Sequence, residues 1–167
     1  MSNLVNDMKR YRKTWLFLLI VVMVIQFIQP NKNISNELSE SDISKAYSIP
    51  QGIHQTLTQK CYDCHSNHTN YPWYFNVQPI GWWLAAHVYE GKSHLNFSEF
   101  KNYQADKARH KLEEIIEMVR DRAMPLKGYV LLHPHTEITT EDEKSIHAWI
   151  KTVMVNKAES PVSIQNQ

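Results

Sequence analysis

The sequence of 167 residues has only two cysteines and four glycines, and its formal net charge is +1. Two cysteines cannot form a disulfide framework, so the pair must be considered as a motif. So few glycines leave no glycine-rich phosphate-binding loop. The small net charge, with no basic stripe after residue 13, argues against nucleic acid as a partner. No hydrolytic triad or carboxylate pair for acid–base catalysis is recognisable, and the length suits one domain with an anchor or tail.

The longest apolar run lies near the N-terminus, over residues 15–25, and reaches Ile28 with only Gln26 interrupting it. It follows a cluster of basic residues: Lys9, Arg10, Arg12 and Lys13. A helix over 11–28 would be about 27 Å long, which predicts a single transmembrane anchor. A cleaved signal peptide is the alternative. The positive-inside rule then places the protein in the cytoplasmic (inner) membrane as a single-pass protein, with its C-terminal domain in the periplasm.

Composition divides the chain into four predicted parts. These are an anchor over 1–30, a polar linker over 31–48, a folded domain over 49–155 and a flexible tail over 156–167.

Helical periodicity predicts four helices in the folded domain. The first follows Pro50 and places Ile53, Leu57 and Cys61 on one face, the second covers 79–90, the third covers 105–123, and the fourth begins with a capping box formed by Thr140 and Glu143. The third has an apolar stripe of Ala108, Leu112, Ile115, Val119 and Ala123. No segment alternates with the period of a strand, so we predict an all-α domain.

The strongest motif is Cys61-Tyr62-Asp63-Cys64-His65. In a Cys-x-x-Cys-His sequence the two thiols, one helical turn apart, can add to the two vinyl groups of a haem. The histidine then lies directly beneath the iron as its proximal ligand. The motif therefore predicts one covalently attached haem c, held by Cys61 and Cys64 and ligated by His65.

Other chemistries could use the same residues. A structural zinc site would use both cysteines and two histidines such as His65 and His68, but no second ligand pair at short spacing is evident. A thioredoxin-like dithiol would need a βαβ context, whereas the flanks here are helical. A chance occurrence of the pattern is the remaining alternative.

Met124 is the predicted sixth ligand of the iron. Pro125 pushes it out of helical geometry at the end of the third helix, so that its thioether could face the metal. Burial as an ordinary core residue is the alternative role of this methionine. His87, in the apolar stripe of the second helix, is the alternative sixth ligand.

Aromatic residues are concentrated between Tyr71 and Trp83, and they could form the apolar wall that a haem requires. Trp83 is the predicted member of that wall. Pro79 is predicted to supply the carbonyl that accepts the proximal imidazole N–H, with Pro72 as the alternative.

The order of helix, Cys-x-x-Cys-His, proline loop, helix, Met-Pro loop and C-terminal helix resembles class I cytochromes c. The central part is also similar to the small bacterial haem-binding-domain family of anchored single-haem proteins, over roughly residues 45–153. The residues that carry this resemblance are 61–67, 71–74, 82–83, His87, 90–92, 95–100 and 124–126. It implies haem binding and a cytochrome c-like fold, and it leaves the physiological partner open.

Together these observations predict an all-α, cytochrome c-like domain around one covalent haem, after a transmembrane helix. The expected function is single-electron transfer with redox proteins of a respiratory or periplasmic chain, and the protein is expected to be an electron carrier rather than an enzyme. A haem peroxidase or a haem-based sensor with an open or displaceable sixth site is the first alternative. A structural zinc domain is the second.

Overall fold

The computed structural model describes residues 2–35 and 39–159. They form eight α-helices: α1 (Ser2–Ile25), α2 (Ile43–Ala46), α3 (Gln51–Lys60), α4 (Tyr62–His65), α5 (Ile80–His94), α6 (Ala105–Arg120), α7 (Lys127–Leu132) and α8 (Thr140–Glu159). Three short 3-10 helices cover Trp73–Asn76, Phe97–Asn102 and Pro134–Thr136. These two ranges contain no β-strand, so the prediction that the domain is all-α is confirmed.

The hydrophobic core lies where α3, α6 and α8 meet the 3-10 helix Phe97–Asn102. The apolar stripe predicted for the third helix contributes to this core, since the buried side chains of α6 are Ala108, Leu112, Ile115 and Val119. Ala123 is exposed, since α6 ends at Arg120, three residues before it. α3 buries Ile53 and Leu57, which places the chain that leads into Cys61 directly on the core.

The prediction of an N-terminal transmembrane helix is wrong. Among the described residues no helix is both long enough and apolar enough to cross a membrane. α1 ends at Ile25 and carries the basic cluster inside it, so its uncharged part covers only 14–25. Twelve residues give about 18 Å of helix, against a hydrocarbon core of about 30 Å. The predicted single-pass topology in the inner membrane, with a domain in the periplasm, depended on this span, so that prediction is wrong as well.

Parts of the segment predicted as a polar linker pack against the domain. Ile43, in α2, is fully buried in the core, and the carboxylate of Asp42 beside it caps α2 by accepting from the Ser44 backbone N–H. Asn33 donates its side-chain amide to the Ser66 carbonyl at 2.9 Å. Of the predicted tail, residues 156–159 belong to α8, and 160–167 lie outside the described residues.

The capping box of α8 lies one residue earlier than predicted. Thr139 Oγ1 accepts from the Asp142 backbone N–H at 3.1 Å, and Asp142 Oδ2 accepts from the Thr139 backbone N–H at 2.8 Å. Glu143, the predicted partner, instead pairs with Arg122 at 3.0 Å. Aspartate can therefore fill the role that glutamate has in the usual box. Asp142 also binds the Lys60 ammonium at 2.6 Å, which ties the residue before Cys61 to the start of α8.

Candidate haem-binding site

The two cysteines and the histidine of the motif lie on a single helical turn. The backbone N–H of His65 donates to the Cys61 carbonyl at 3.0 Å. Cys61 is the one residue between α3 and α4, and its own N–H donates to the Leu57 carbonyl at 2.9 Å. Both cysteines are free thiols and half-buried. The turn therefore presents two thiols and one imidazole from a short stretch of backbone that the core holds in place.

The His65 ring is oriented by a hydrogen bond to the backbone at the end of α5. Its Nδ1 lies 3.0 Å from the Leu95 carbonyl oxygen, which can only accept, so Nδ1 carries the proton and donates. In the neutral ring Nε2 then has a free lone pair. Burial lowers the pKa of His65, which favours this neutral form. The Phe97 ring packs edge-on at 6.4 Å between ring centroids. The histidine is thus oriented as a metal ligand, with its second nitrogen available.

The acceptor predicted for the imidazole N–H was Pro79, and that prediction is wrong. The Pro79 carbonyl accepts from the Trp83 backbone N–H at 3.1 Å in the first turn of α5. Leu95, which caps the other end of α5, accepts from His65 instead. α5 begins at Ile80 and is fifteen residues long. Its C-terminal end, and not its N-terminal end, therefore lies beside His65.

Gly91 is the point at which α5 contacts the motif. A Cβ atom at this position would lie 2.7 Å from the Cys64 carbonyl oxygen and 3.4 Å from the Cys64 Cβ. Only glycine permits this approach without movement of one of the two backbones. The contact holds α5 against α4, four residues before the Leu95 carbonyl that binds His65.

The surroundings of the thiols do not favour thiolate chemistry. Burial raises the pKa of the Cys61 thiol to about 12 and that of the Cys64 thiol to about 11. Dithiol oxidoreductases and zinc sites use the thiolate, which an electropositive environment stabilises. Among the described residues, no group of three or more His, Cys, Asp and Glu side chains is placed to hold a metal ion. The zinc alternative therefore has no ligand set within the described ranges.

The two residues between the cysteines fasten the turn to opposite parts of the chain. The Tyr62 hydroxyl lies 3.2 Å from Oδ2 of the fully buried Asp42, just before α2. Asp63 accepts at Oδ1 from the Asn70 backbone and side-chain N–H groups, each at 3.0 Å. Its Oδ2 accepts from the Tyr129 hydroxyl of α7 at 2.7 Å.

Two residues of α5 were predicted to face the haem, His87 and Trp83, and both lie on the same side of the helix as Gly91. His87 and Trp83 come one and two turns before it, about 6 and 12 Å away along the axis. His87 Nδ1 donates to the Trp83 carbonyl at 2.9 Å, which leaves Nε2 free, and the two rings are 4.1 Å apart. Trp83 is 50% exposed and Ile80 is 43% exposed. This apolar surface beside the motif is of the kind that a porphyrin would cover.

Met124 lies outside any helix, as predicted. α6 ends at Arg120, and the Met124 backbone N–H donates back to the Met118 carbonyl at 3.2 Å. Met124 is partly buried. Its segment approaches the motif through Tyr129, five residues later, which hydrogen bonds to Asp63. The assignment of Met124 or His87 as the sixth ligand stays a prediction.

Sequence reasoning missed three residues that shape the site. Leu95 acts through its backbone carbonyl, which every residue has, so no sequence signal marks it. Gly91 directly follows the predicted helix over 79–90, where a glycine indicates a C-terminal cap, but the observed helix continues through it to His94. Tyr129 pairs with Asp63 across 66 positions, and a single sequence does not reveal such a pairing.

The residues present fit a haem. Two free thiols on one turn match its vinyl groups, and an oriented imidazole with a free Nε2 matches its iron. Fold and site together define a small all-α haem-binding domain. A family model described as a haem-binding domain matches residues 20–152, and the chain belongs to that family. No curated protein and no solved structure matches the chain, so the resemblance to class I cytochromes c stays a prediction.

Proposed function

We propose that this haem-binding protein is a single-haem c-type cytochrome that carries single electrons, with Cys61 and Cys64 as the attachment residues. Each Sγ–H bond would add across one vinyl group, forming a C–S bond and transferring the thiol hydrogen to the neighbouring carbon. The addition needs no oxidant or reductant. His65 is the proximal ligand, Met124 the sixth ligand, and another redox protein the partner.

The observation that carries the proposal is the state of His65 beside two free thiols. Its Nδ1 proton is committed to the Leu95 carbonyl, so Nε2 is available for iron on the turn that carries both cysteines. A carbonyl acceptor fixes the orientation of the ring and raises the basicity of the ligating nitrogen. Both thiols are in apolar surroundings, which suits a thioether better than a thiolate.

When bound, haem supplies a one-electron Fe(III)/Fe(II) couple. The chain's own contribution is to hold the ligands and to limit access of water. Phe97 is almost fully buried, and it contacts the His65 ring edge-on. A thioether ligand and low polarity both raise the reduction potential of the couple.

Covalent attachment can be tested by producing the chain with a c-type haem maturation system and then denaturing it in acid. We expect the haem to remain with the polypeptide, with one haem per chain. The matched control carries Cys61→Ala and Cys64→Ala, and it should release any bound haem into organic solvent. Haem that leaves the native chain on denaturation would contradict the proposal, although haem binding itself would stand.

The sixth ligand can be tested with two methionine variants. Met124→Ala should abolish the Met–iron charge-transfer band at the red end of the visible spectrum and convert the ferric protein towards the high-spin state. Met118→Ala is the control, since Met118 lies six residues earlier on α6 and is 38% exposed. It should leave the spectrum unchanged. A band that survives in Met124→Ala would exclude this ligand and indicate another methionine, whereas a native low-spin ferric spectrum without the band would favour His87.

A second function deserves its own test because α7, which follows Met124, has no buried residue. A loosely held ligand could leave the iron, and the protein would then be a haem-based sensor of small ligands or a peroxidase with His87 as the proton acceptor. Carbon monoxide added to the reduced protein distinguishes these functions. Rapid and complete binding to the native chain favours the sensor, and no binding favours the electron carrier.

A further inference from the structure

The segment between α6 and α8, residues 121–139, is called the distal segment here. It carries Met124, and the Arg122 side chain near its N-terminal end connects the two ends of the segment. The Arg122 guanidinium donates to the Ile138 carbonyl and to the Glu143 carboxylate, the latter at 3.0 Å. Arg122 also has a positive φ of 54°, which turns the chain sharply after α6. The two ends of the distal segment are therefore fastened to each other and to α8.

Little apolar burial holds the middle of this segment. α7 has no buried residue, and Leu131 and Leu132 are 79% and 58% exposed. A helix of six residues without a buried face has little stability of its own. Its position must therefore depend on particular side-chain contacts.

Two such contacts connect the middle of the segment to the rest of the domain. The stronger is the hydrogen bond from the Tyr129 hydroxyl to Asp63 Oδ2 at 2.7 Å. Asp63 is held in place because its other oxygen accepts two N–H groups of Asn70. The weaker contact joins the Tyr74 hydroxyl to His133 Nε2 at 3.3 Å. A hydrogen bond to a carboxylate is roughly twice as strong as one between neutral groups.

We propose that Tyr129 is a positioning residue, whose hydrogen bond to Asp63 holds the Met124-bearing segment against the Cys61–His65 turn. This inference rests on the proposed function, in which Met124 ligates the iron. Asp63 lies inside the haem-attachment motif, so the bond ties the segment of one ligand directly to the turn that carries the other. Tyr129 is five residues from Met124, at most about 18 Å of extended chain, so its release allows Met124 to move away from the turn.

Tyr129→Phe removes only the hydroxyl and keeps the ring, which stacks on His133 at 4.3 Å. Loss of a hydrogen bond to a charged group corresponds to a factor of about ten or more in the closed fraction of the segment. We therefore expect imidazole, which competes with Met124 for ferric iron, to bind about tenfold more tightly. Trypsin cleavage after Lys127, at the start of α7, should become faster by a similar factor.

Tyr62→Phe is the matched control. It makes the same change at the neighbouring motif position, whose hydroxyl binds Asp42 and not the distal segment. Imidazole affinity and cleavage after Lys127 should both match those of the native chain. A general loosening of the motif would change both variants alike, and such a result would overturn the inference.

The outcomes separate this inference from the proposed function. If the native chain lacks the Met–iron band, the ligand assignment fails, and the inference fails with it. If the band is present and Tyr129→Phe binds imidazole and resists trypsin as the native chain does, the inference alone is overturned. A tenfold change in both measurements for Tyr129→Phe, with none for Tyr62→Phe, supports it.

Discussion

The two halves of the haem site are built in different ways. The proximal unit, formed by α3, α4 and α5, holds His65 through backbone contacts: the Leu95 carbonyl and the close approach of Gly91 to Cys64. The distal segment holds Met124 through side-chain hydrogen bonds from its ends and from Tyr129, and its helix α7 has no buried residue. Packed backbone fixes a geometry, whereas a few polar contacts leave it adjustable. The backbones of His65 and Met124 are therefore held by contacts of different kinds, and we expect the two proposed ligands to differ accordingly in how readily they leave the iron.

The largest contrast is expected for apolar truncation in the two halves. Leu57, one turn before Cys61, is fully buried, whereas Leu131 of α7 is 79% exposed. Leu57→Ala should lower the free energy of unfolding by about 2–5 kcal/mol. Leu131→Ala should change it by less than about 0.5 kcal/mol. Urea denaturation of the two holo-proteins measures both values. Similar losses of stability in the two variants would contradict the difference between the two halves of the site.

Glycine replacement gives the next contrast. Gly91→Ala places a Cβ 2.7 Å from the Cys64 carbonyl oxygen, whereas Gly128→Ala in α7 meets nothing within 4 Å. Overpacking should cost about 1–3 kcal/mol in the first variant and lower its yield of holo-protein. The second should be neutral or stabilising by up to about 1 kcal/mol, because alanine favours a helix. Denaturation midpoints of the two variants and the native chain measure these changes in stability. A stabilised Gly91→Ala variant would contradict the close contact between Gly91 and Cys64.

Much of this fold follows from local patterns. The spacing of apolar residues in α3, α6 and α8 predicts those helices and their buried faces. The motif residues Cys61, Cys64 and His65 lie on one turn because their spacing in the sequence requires it. Local patterns are sufficient here because helices form from contacts between near neighbours.

Contacts between distant parts of the chain could not be predicted in this way. The pairing of Tyr129 with Asp63 and the Leu95 acceptor depend on how the helices pack, which one sequence does not encode in a visible pattern. The prediction of an N-terminal span was wrong for a different reason: the apolar sequence continues to Ile28, whereas the helix ends at Ile25. The capping box was misplaced by one residue because Thr139 and Thr140 are both followed by an acidic residue three positions later.

The smallest expected difference is between two ion pairs, Asp142 with Lys60 and Glu143 with Arg122, and it depends on pH. Burial alone would raise the pKa of Asp142, but the Lys60 ammonium and the Thr139 donors hold it at about 2, below the value of about 3.9 for an unfolded chain. The carboxylate therefore stabilises the fold above about pH 4, and this contribution is lost as the pH falls towards 2.

Asp142→Asn should accordingly lower the free energy of unfolding by about 1–2 kcal/mol at pH 7. The difference from the native chain should shrink between pH 4 and pH 2. Glu143→Gln, which removes the more exposed pair with Arg122 at the base of the distal segment, should cost less than about 1 kcal/mol. Denaturation at several pH values measures both, and a constant cost for Asp142→Asn would refute the assigned role of the carboxylate.

Amide hydrogen exchange of the native holo-protein is the most direct test of the difference between the two halves. Amides of α5 from Leu84 to His94, which support His65, should exchange only through rare, large openings. Amides of α7 from Lys127 to Leu132 should exchange orders of magnitude faster, through local opening of the distal segment. Equal protection of the two helices, or slower exchange in α7, would contradict the account and would mean that the sixth ligand is held as firmly as the proximal one.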